Sequence, residues 1–287
     1  MKVCIRCETL FTGSGWACPS CGYAPRAGEI VVFDQDSGSR EALTERSFRD
    51  LRTIEEGSFW FRARNRLIVW ALARYFPRAG SFLEVGCGTG FVLKGVRTAL
   101  PHLEIAGGEL GMAGLAVARE RVPDVPLYAL DAGRLPFANE FDVLGAFDVI
   151  EHVDDDEEVL SQFRTALREG GGLLLTVPQH QWLWSAADDY SGHRRRYTRA
   201  DLSAKLSRAG FRIIRITSFV SLLLPLLAAS RWAQRRRESF DPLGEYRISP
   251  ALDRILEAVQ GVETTLVARG LSFRAGGSLF IAATKES

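Results

Sequence analysis

Two groups of residues in this chain have the types and spacing to do chemistry. The first is the pair Cys4-x2-Cys7 and Cys18-x2-Cys21. A Cys-x2-Cys turn sets two thiolates on one side of a cation at about 2.3 Å, and two such turns complete a tetrahedron. Pro19 and Gly22 suit that tight turn. Four thiolates fill a zinc coordination sphere, so the expected Zn2+ is structural rather than catalytic. The segment has too few apolar residues to fold alone, and the metal would supply much of its folding free energy. The plainer alternative is a tail with redox-labile thiols.

The second group surrounds Phe82-Leu83-Glu84-Val85-Gly86-Cys87-Gly88-Thr89-Gly90. An apolar run enters a Gly-x-Gly-x-Gly turn and then a helical stretch. Gly86, Gly88 and Gly90 would let the backbone turn tightly and approach a ligand. Residue 91 is Phe, so the third glycine of a dinucleotide-binding Gly-x-Gly-x-x-Gly is absent. Glu84 would repel a pyrophosphate and suits a cationic amino-acid group. Further acids follow the next apolar runs, namely Glu109, Asp131 and Asp148, the last with Glu151 and His152 close behind. One such acid alone reads as a solvated charge. Several at successive strand ends point to a ligand crevice at the carboxyl edge of an open α/β sheet.

The glycine turn resembles motif I of class I S-adenosylmethionine (SAM) dependent methyltransferases. The resemblance spans roughly residues 55–218 and the final strand. It implies SAM as cofactor, with Gly86, Gly88 and Gly90 against the methionyl and ribose portions. It also implies Glu84 at the amino group, Glu109 at the ribose hydroxyls, Asp131 at the adenine amino group and Asp148 among the cofactor contacts. Phe59-Trp60-Phe61-x-x-Arg64 is similar to the aromatic segment that closes over the cofactor in related enzymes; an amphipathic helix packed on the sheet is the simpler reading. Asp148-x-x-Glu151-His152 resembles the acid-x-x-Glu-His pattern of ubiquinone-pathway O-methyltransferases. The first acid there is usually Glu, and the Asp here leaves a divalent metal on those three residues open.

Catalysis by general base needs a group that reaches the acceptor proton and titrates near the working pH. Histidine meets the second condition, which makes His152 and His193, with Glu151, the catalytic candidates. His193 belongs to Trp182–Thr198, a run mixing Trp, Asp, His and Arg that follows the fifth strand. It is similar to an Asp-x-x-x-Gly-His-x-Arg-Arg-Tyr-Thr segment of a bacterial methyltransferase group. Asp189, His193, Arg196 and Tyr197 are the expected substrate contacts, with arginine as a carboxylate or phosphate clamp. An ion-paired loop is the alternative.

These residues need a frame. Residues 1–24 read as a zinc-ribbon-like module, 25–40 as a linker and 41–287 as the methyltransferase domain. Residues 41–76 read as two helices broken at Gly57-Ser58, with Ser58 as N-cap. From residue 81, apolar runs alternate with helical stretches: Ser81–Val85, Leu103–Gly107, Val125–Ala129, Phe141–Phe147, Gly172–Val177, Phe211–Thr217 and Ser278–Thr284. That pattern predicts an α/β fold, a doubly wound, seven-stranded, mostly parallel Rossmann-like sheet. Thr198-x-x-Asp201 reads as a helix start. Residues 219–275 read as a helical insertion or lid.

Composition narrows the function further. A net charge of +1 over 287 residues offers no basic field for nucleic acid. No secretory leader is legible, and clustered cysteines suit metal in a reducing, cytoplasmic setting. Phe219–Ala229 is too short to span a bilayer and contains Pro225. That run followed by Arg231 and Arg235-Arg236-Arg237 suits a membrane surface or lipid-linked substrate, with a lid or dimer helix as the simpler reading. The sequence thus reads as a transferase moving methyl from SAM to a small-molecule, sugar or lipid-linked acceptor. A ribosomal RNA methyltransferase with a zinc head and a non-catalytic SAM-binding partner protein are the rivals.

Overall fold

The computed structural model describes residues 1–33, 45–234 and 248–286. Residues 34–40 of the expected linker and the Arg235-Arg236-Arg237 cluster lie outside the described residues.

All seven expected strands are present, and an eighth joins them. In chain order they are β3 (Ile30–Val32), β4 (Ser81–Val85), β5 (Glu104–Glu109), β6 (Leu127–Ala129), β7 (Phe141–Phe147), β8 (Leu167–Pro178), β9 (Phe211–Phe219) and β10 (Ser278–Lys285). The sheet order is β3-β6-β5-β4-β7-β8-β10-β9. Pairing is parallel from β3 through β8, while β10 runs antiparallel between β8 and β9. The eighth strand corrects the reading of residues 25–40 as a plain linker. Ile30-Val31-Val32 is a β-branched triplet that docks on the edge of β6.

Apolar side chains alternate to the two faces of the sheet. Phe82, Leu174, Phe280 and Phe147 pack on one face, and Leu83, Leu144, Leu175 and Ile281 on the other. Helices cover both: α1 (Glu45–Gly57), α2 (Phe59–Tyr75), α3 (Phe91–Ala99), α4 (Met112–Arg121), α5 (Asp156–Ala166), α6 (Ala186–Ser191), α7 (Arg199–Arg208), α8 (Leu224–Gln234) and α9 (Pro250–Ala268). Strand order reverses at β4, where β5 lies on one side and β7 on the other. In open α/β sheets such a switch point is where ligands bind, beyond the carboxyl ends of the strands.

The break at Gly57-Ser58 is as expected, but Ser58 makes no side-chain cap bond. Asp253 of α9 does that work, accepting the Phe59 N–H at 2.7 Å. Arg62 of α2 pairs with Asp253 and Glu257. Helix α9 is thereby clamped onto α2. Its other end is held by the buried Glu263, which accepts the N–H groups of Ser221 and Leu222 at 2.8 Å each. Among the described residues no helix is long and apolar enough to cross a membrane.

The cysteine segment forms a hairpin of β1 (Lys2–Val3) and β2 (Leu10–Phe11). It lies against the main sheet domain: the Val3 N–H donates to the Pro136 carbonyl at 3.0 Å. Trp16 meets Phe33, Tyr128 and Phe137 edge-on, at centroid distances of 4.7, 5.9 and 5.8 Å.

Candidate active site

The parallel register brings the ends of β4, β5, β6, β7 and β8 to one edge, and the predicted acids come with them. Gly86, Gly88 and Gly90 all have positive φ, at 74°, 50° and 75°. A Cβ on Gly86 would stand 2.3 Å from a Val149 methyl, so the two loops touch there. At Gly88 a Cβ would meet nothing within 4 Å, so the turn faces open space. Thr89 is held from behind. Its hydroxyl donates to Glu55 of α1 at 2.5 Å, and Arg121 of α4 pairs with Glu55 at 2.7 Å and reaches the Thr89 carbonyl at 3.2 Å. This buried Glu55–Arg121 pair is legible in no motif, because it joins residues far apart in sequence.

Glu84 is buried, and its Oε2 has no hydrogen-bond partner. Burial pushes its carboxyl well above the usual carboxylate range, with Arg64 partly opposing the shift. Glu109 accepts the N–H groups of Gly88 at 2.9 Å and Leu110 at 2.8 Å. Asp131 follows β6 and accepts the Gly133 N–H at 2.8 Å. Asp148 has a left-handed φ of 60° and pairs with Arg64 of α2. The Arg64 guanidinium lies over the Trp60 ring at 4.5 Å. The Phe59–Arg64 segment therefore does two things, packing on the sheet and reaching the crevice.

Beyond β7 a short 3-10 turn, Ile150–His152, carries Glu151 and His152. Glu151 is fully buried, and neither carboxylate oxygen has a partner. Desolvation first, and the Asp148 charge second, push its carboxyl well above the usual range. His152 keeps an exposed edge in a crowded crevice. Lost hydration and then the nearby His193 push it down to about 4. The two rings meet edge to face, with centroids 4.8 Å apart.

His193 arrives from the segment after β8. There α6 opens with a capping box between Ser185 and Asp188. Asp188 is buried and central: it accepts from His193 Nδ1 at 2.8 Å and from Arg196 Nε at 2.8 Å and Nη2 at 3.0 Å. Burial alone would raise its carboxyl, but the His193 and Arg196 bonds outweigh it and hold the group below the usual range. The expected substrate contacts are engaged within the protein to differing degrees. Asp189 is exposed and accepts from Trp184 Nε1 at 3.0 Å. Arg196 is committed to Asp188 and to the Gln179 carbonyl at 3.1 Å, so it is no open clamp. Tyr197 is fully buried, with its hydroxyl donating to Asp156 at 2.6 Å. Asp188 was the residue missed. The Asp-x-x-x-Gly-His spacing starts at Asp188, and Ser185-x-x-Asp188 is a capping-box signature, so two signals pointed to it.

A sequence profile of the methyltransferase domain matches residues 54–216, which is more than half of the chain. The chain belongs to the class I methyltransferase family. A Mycolicibacterium smegmatis protein described as a probable S-adenosylmethionine-dependent methyltransferase is 29% identical over 183 residues, or 63% of this chain and 70% of that relative. A Saccharopolyspora spinosa dTDP-4-amino-2,3,4,6-tetradeoxy-D-glucose N,N-dimethyltransferase is 32% identical over 108 residues, or 36% of this chain and 43% of its own length. Among solved structures, Haemonchus contortus phosphoethanolamine N-methyltransferase 2 with S-adenosylmethionine superposes at a TM-score of 0.53 with 21% identity. It covers 78% of this chain, while the chain spans only 53% of that protein. That likeness concerns the fold. In this methyltransferase the glycine turn and the acids above stand at the same edge of the sheet.

The four N-terminal cysteines also assemble. All are free thiols, and their sulfurs lie within 4.8 Å of one another. The Cys4–Cys21 and Cys7–Cys18 Sγ pairs are 3.6 Å apart. A tetrahedron with about 2.3 Å metal–sulfur bonds sets sulfurs roughly 3.8 Å apart, so the set is compatible with zinc.

Proposed function

We propose that this chain transfers a methyl group from SAM to a small-molecule, sugar or lipid-linked acceptor. The observation that carries the reading is Glu84, a buried carboxylate with an unpartnered oxygen beside a glycine turn that faces open space. Burial disfavours the charged form of a carboxyl so placed unless a cation stands opposite it, and the amino group of SAM would supply one. Glu109 would take the ribose hydroxyls, and Asp131 the adenine amino group. When bound, SAM supplies an electrophilic methyl on a sulfonium. The chain's part is alignment and the exclusion of water. Glu151, His152 and His193 line the acceptor side, and lost hydration together with the nearby His193 keeps the His152 imidazole neutral near pH 7. Asp148 and Arg64 neutralise one another at the border of the two subsites.

We assign the four cysteines to a structural zinc, which suits a reducing cytoplasm. Calorimetric titration with SAM and, separately, NADH tests the cofactor. Binding of SAM alone, weakened more than tenfold in Glu109→Ala, is expected, because charge-assisted hydrogen bonds contribute about 1.5–3 kcal/mol. No SAM binding by folded protein would overturn the reading. An acceptor screen would then start with sugars and lipid-linked intermediates.

A further inference from the structure

The three residues of the Asp148-x-x-Glu151-His152 pattern do not act together here, because Asp148 is committed to Arg64. A different set converges instead. Glu151, His152 and His193 each offer one ligand atom, and these atoms all lie within 4.8 Å of one another. Glu151 is fully buried with both oxygens unpartnered. An isolated buried carboxylate is strongly disfavoured unless it meets a cation or a hydrogen bond. His193 Nδ1 is bonded to Asp188 at 2.8 Å, and Asp188 is itself held by Arg196 and by the Ser185 N–H at 2.9 Å. A carboxylate on one ring nitrogen fixes the tautomer and leaves Nε2 for a ligand, which is how histidines are oriented at metal sites.

We propose that Glu151, His152 and His193 form a site for a divalent first-row transition ion at the acceptor crevice, with Asp188 as the positioning residue of His193. Two imidazoles and one carboxylate favour zinc, iron or cobalt over magnesium and calcium, which take oxygen ligands. Three protein ligands leave coordination positions open for an oxygen of the acceptor. That use rests on the methyl-transfer reading. An acceptor hydroxyl bound to the ion would lose its proton to solvent at lower pH, and its oxygen would be held in place. The thiolate cluster near the N-terminus is softer and keeps its own zinc.

The test uses the full, zinc-loaded chain. Cobalt(II) is added, unbound ion is removed by desalting, and metals are counted by mass spectrometry. The expected result is one zinc and one cobalt per chain, with weak d–d absorption and no intense thiolate-to-cobalt band. Glu151→Gln should abolish cobalt retention. It should also fold, because the buried carboxyl makes no side-chain hydrogen bond that the amide would lose. His193→Ala should abolish retention as well, and Asp188→Asn should weaken binding about 10- to 100-fold. Circular dichroism and zinc content verify the fold of each variant. No cobalt beyond the zinc, cobalt in the thiolate site, or retention unchanged in Glu151→Gln and His193→Ala would each overturn the site. SAM titrated into the same samples separates the two readings. SAM bound without cobalt overturns the metal site alone. Cobalt bound without SAM supports the metal site and overturns the methyl-transfer reading.

Discussion

At the scale of residues, the crevice is governed by carboxylates that differ in how they are compensated. Glu84 and Glu151 are buried and lack full hydrogen-bond complements, whereas Asp148 and Asp188 are ion-paired. Arg64 opposes the raised pKa of both Glu84 and Glu151 while pairing with Asp148. Removing it should therefore hurt more than the loss of one contact. Arg64→Ala is expected to destabilise the fold by about 1–3 kcal/mol, because the part-buried Asp148 loses its partner. Urea denaturation read by circular dichroism measures this, and a change under 1 kcal/mol would show that water already solvates the site. Gly86→Ala adds a methyl where φ is 74° and a Val149 carbon stands 2.3 Å away. It should cost roughly 1–3 kcal/mol and reduce SAM affinity at least tenfold by calorimetry.

At the scale of elements, α2 and α9 are clamped together by ion pairs and a helix cap. Asp253 caps α2 and pairs with Arg62, and Glu257 pairs with Arg62 and Arg66. Asp253→Ala removes the cap and one ion-pair partner. A loss of about 1–2 kcal/mol is expected from the cap alone, visible as a lower midpoint in denaturant. Glu257 gives the clamp a pH dependence. Hydrogen bonds from Arg62 outweigh partial burial, and with Arg66 they lower its carboxyl to about 2. A depressed pKa means the stabilisation is present above the unfolded value near 4.3 and is lost as pH falls toward 2. Thermal melts from pH 6 to 2 should show a smaller loss in Glu257→Gln than in the parent chain. Because Glu257 is partly exposed, that difference should shrink at high salt. Identical pH curves would remove Glu257 from the account of the clamp.

At the scale of the whole molecule, the cysteine hairpin and the sheet share a surface through Trp16, Phe33, Tyr128 and Phe137. Stripping the proposed zinc should release the hairpin, since the metal supplies its folding free energy. Hydrogen exchange with and without a strong chelator is expected to show lost protection in residues 1–24 while β4 and β7 stay protected. Protection unchanged over residues 1–24 would mean that packing against the sheet, and not metal, orders the segment.

Periodicity and motif spacing were enough for the alternating α/β order, the seven main strands, the motif I turn and the acids at their ends. Those features are local: apolar runs, glycine conformational freedom and residue intervals depend on short stretches of chain. The helix start at Thr198 was legible for the same reason, and its hydroxyl does accept the Asp201 N–H at 3.1 Å. Other features depended on which distant residues meet. Helical phase turned Asp188 inward and Asp189 outward, so the buried carboxylate beside His193 is Asp188 and not Asp189. The same packing consumed Arg196 and buried Tyr197. It also joined Glu55 to Arg121 behind the glycine turn, capped α2 with Asp253, and brought His193 to Glu151 and His152. Sequence determined which groups stand at the carboxyl edge of the sheet. Tertiary structure decided which of them are already satisfied by each other and which, like Glu84 and Glu151, keep carboxylate oxygens without a hydrogen-bond partner, because pairing and desolvation are set by neighbours far along the chain.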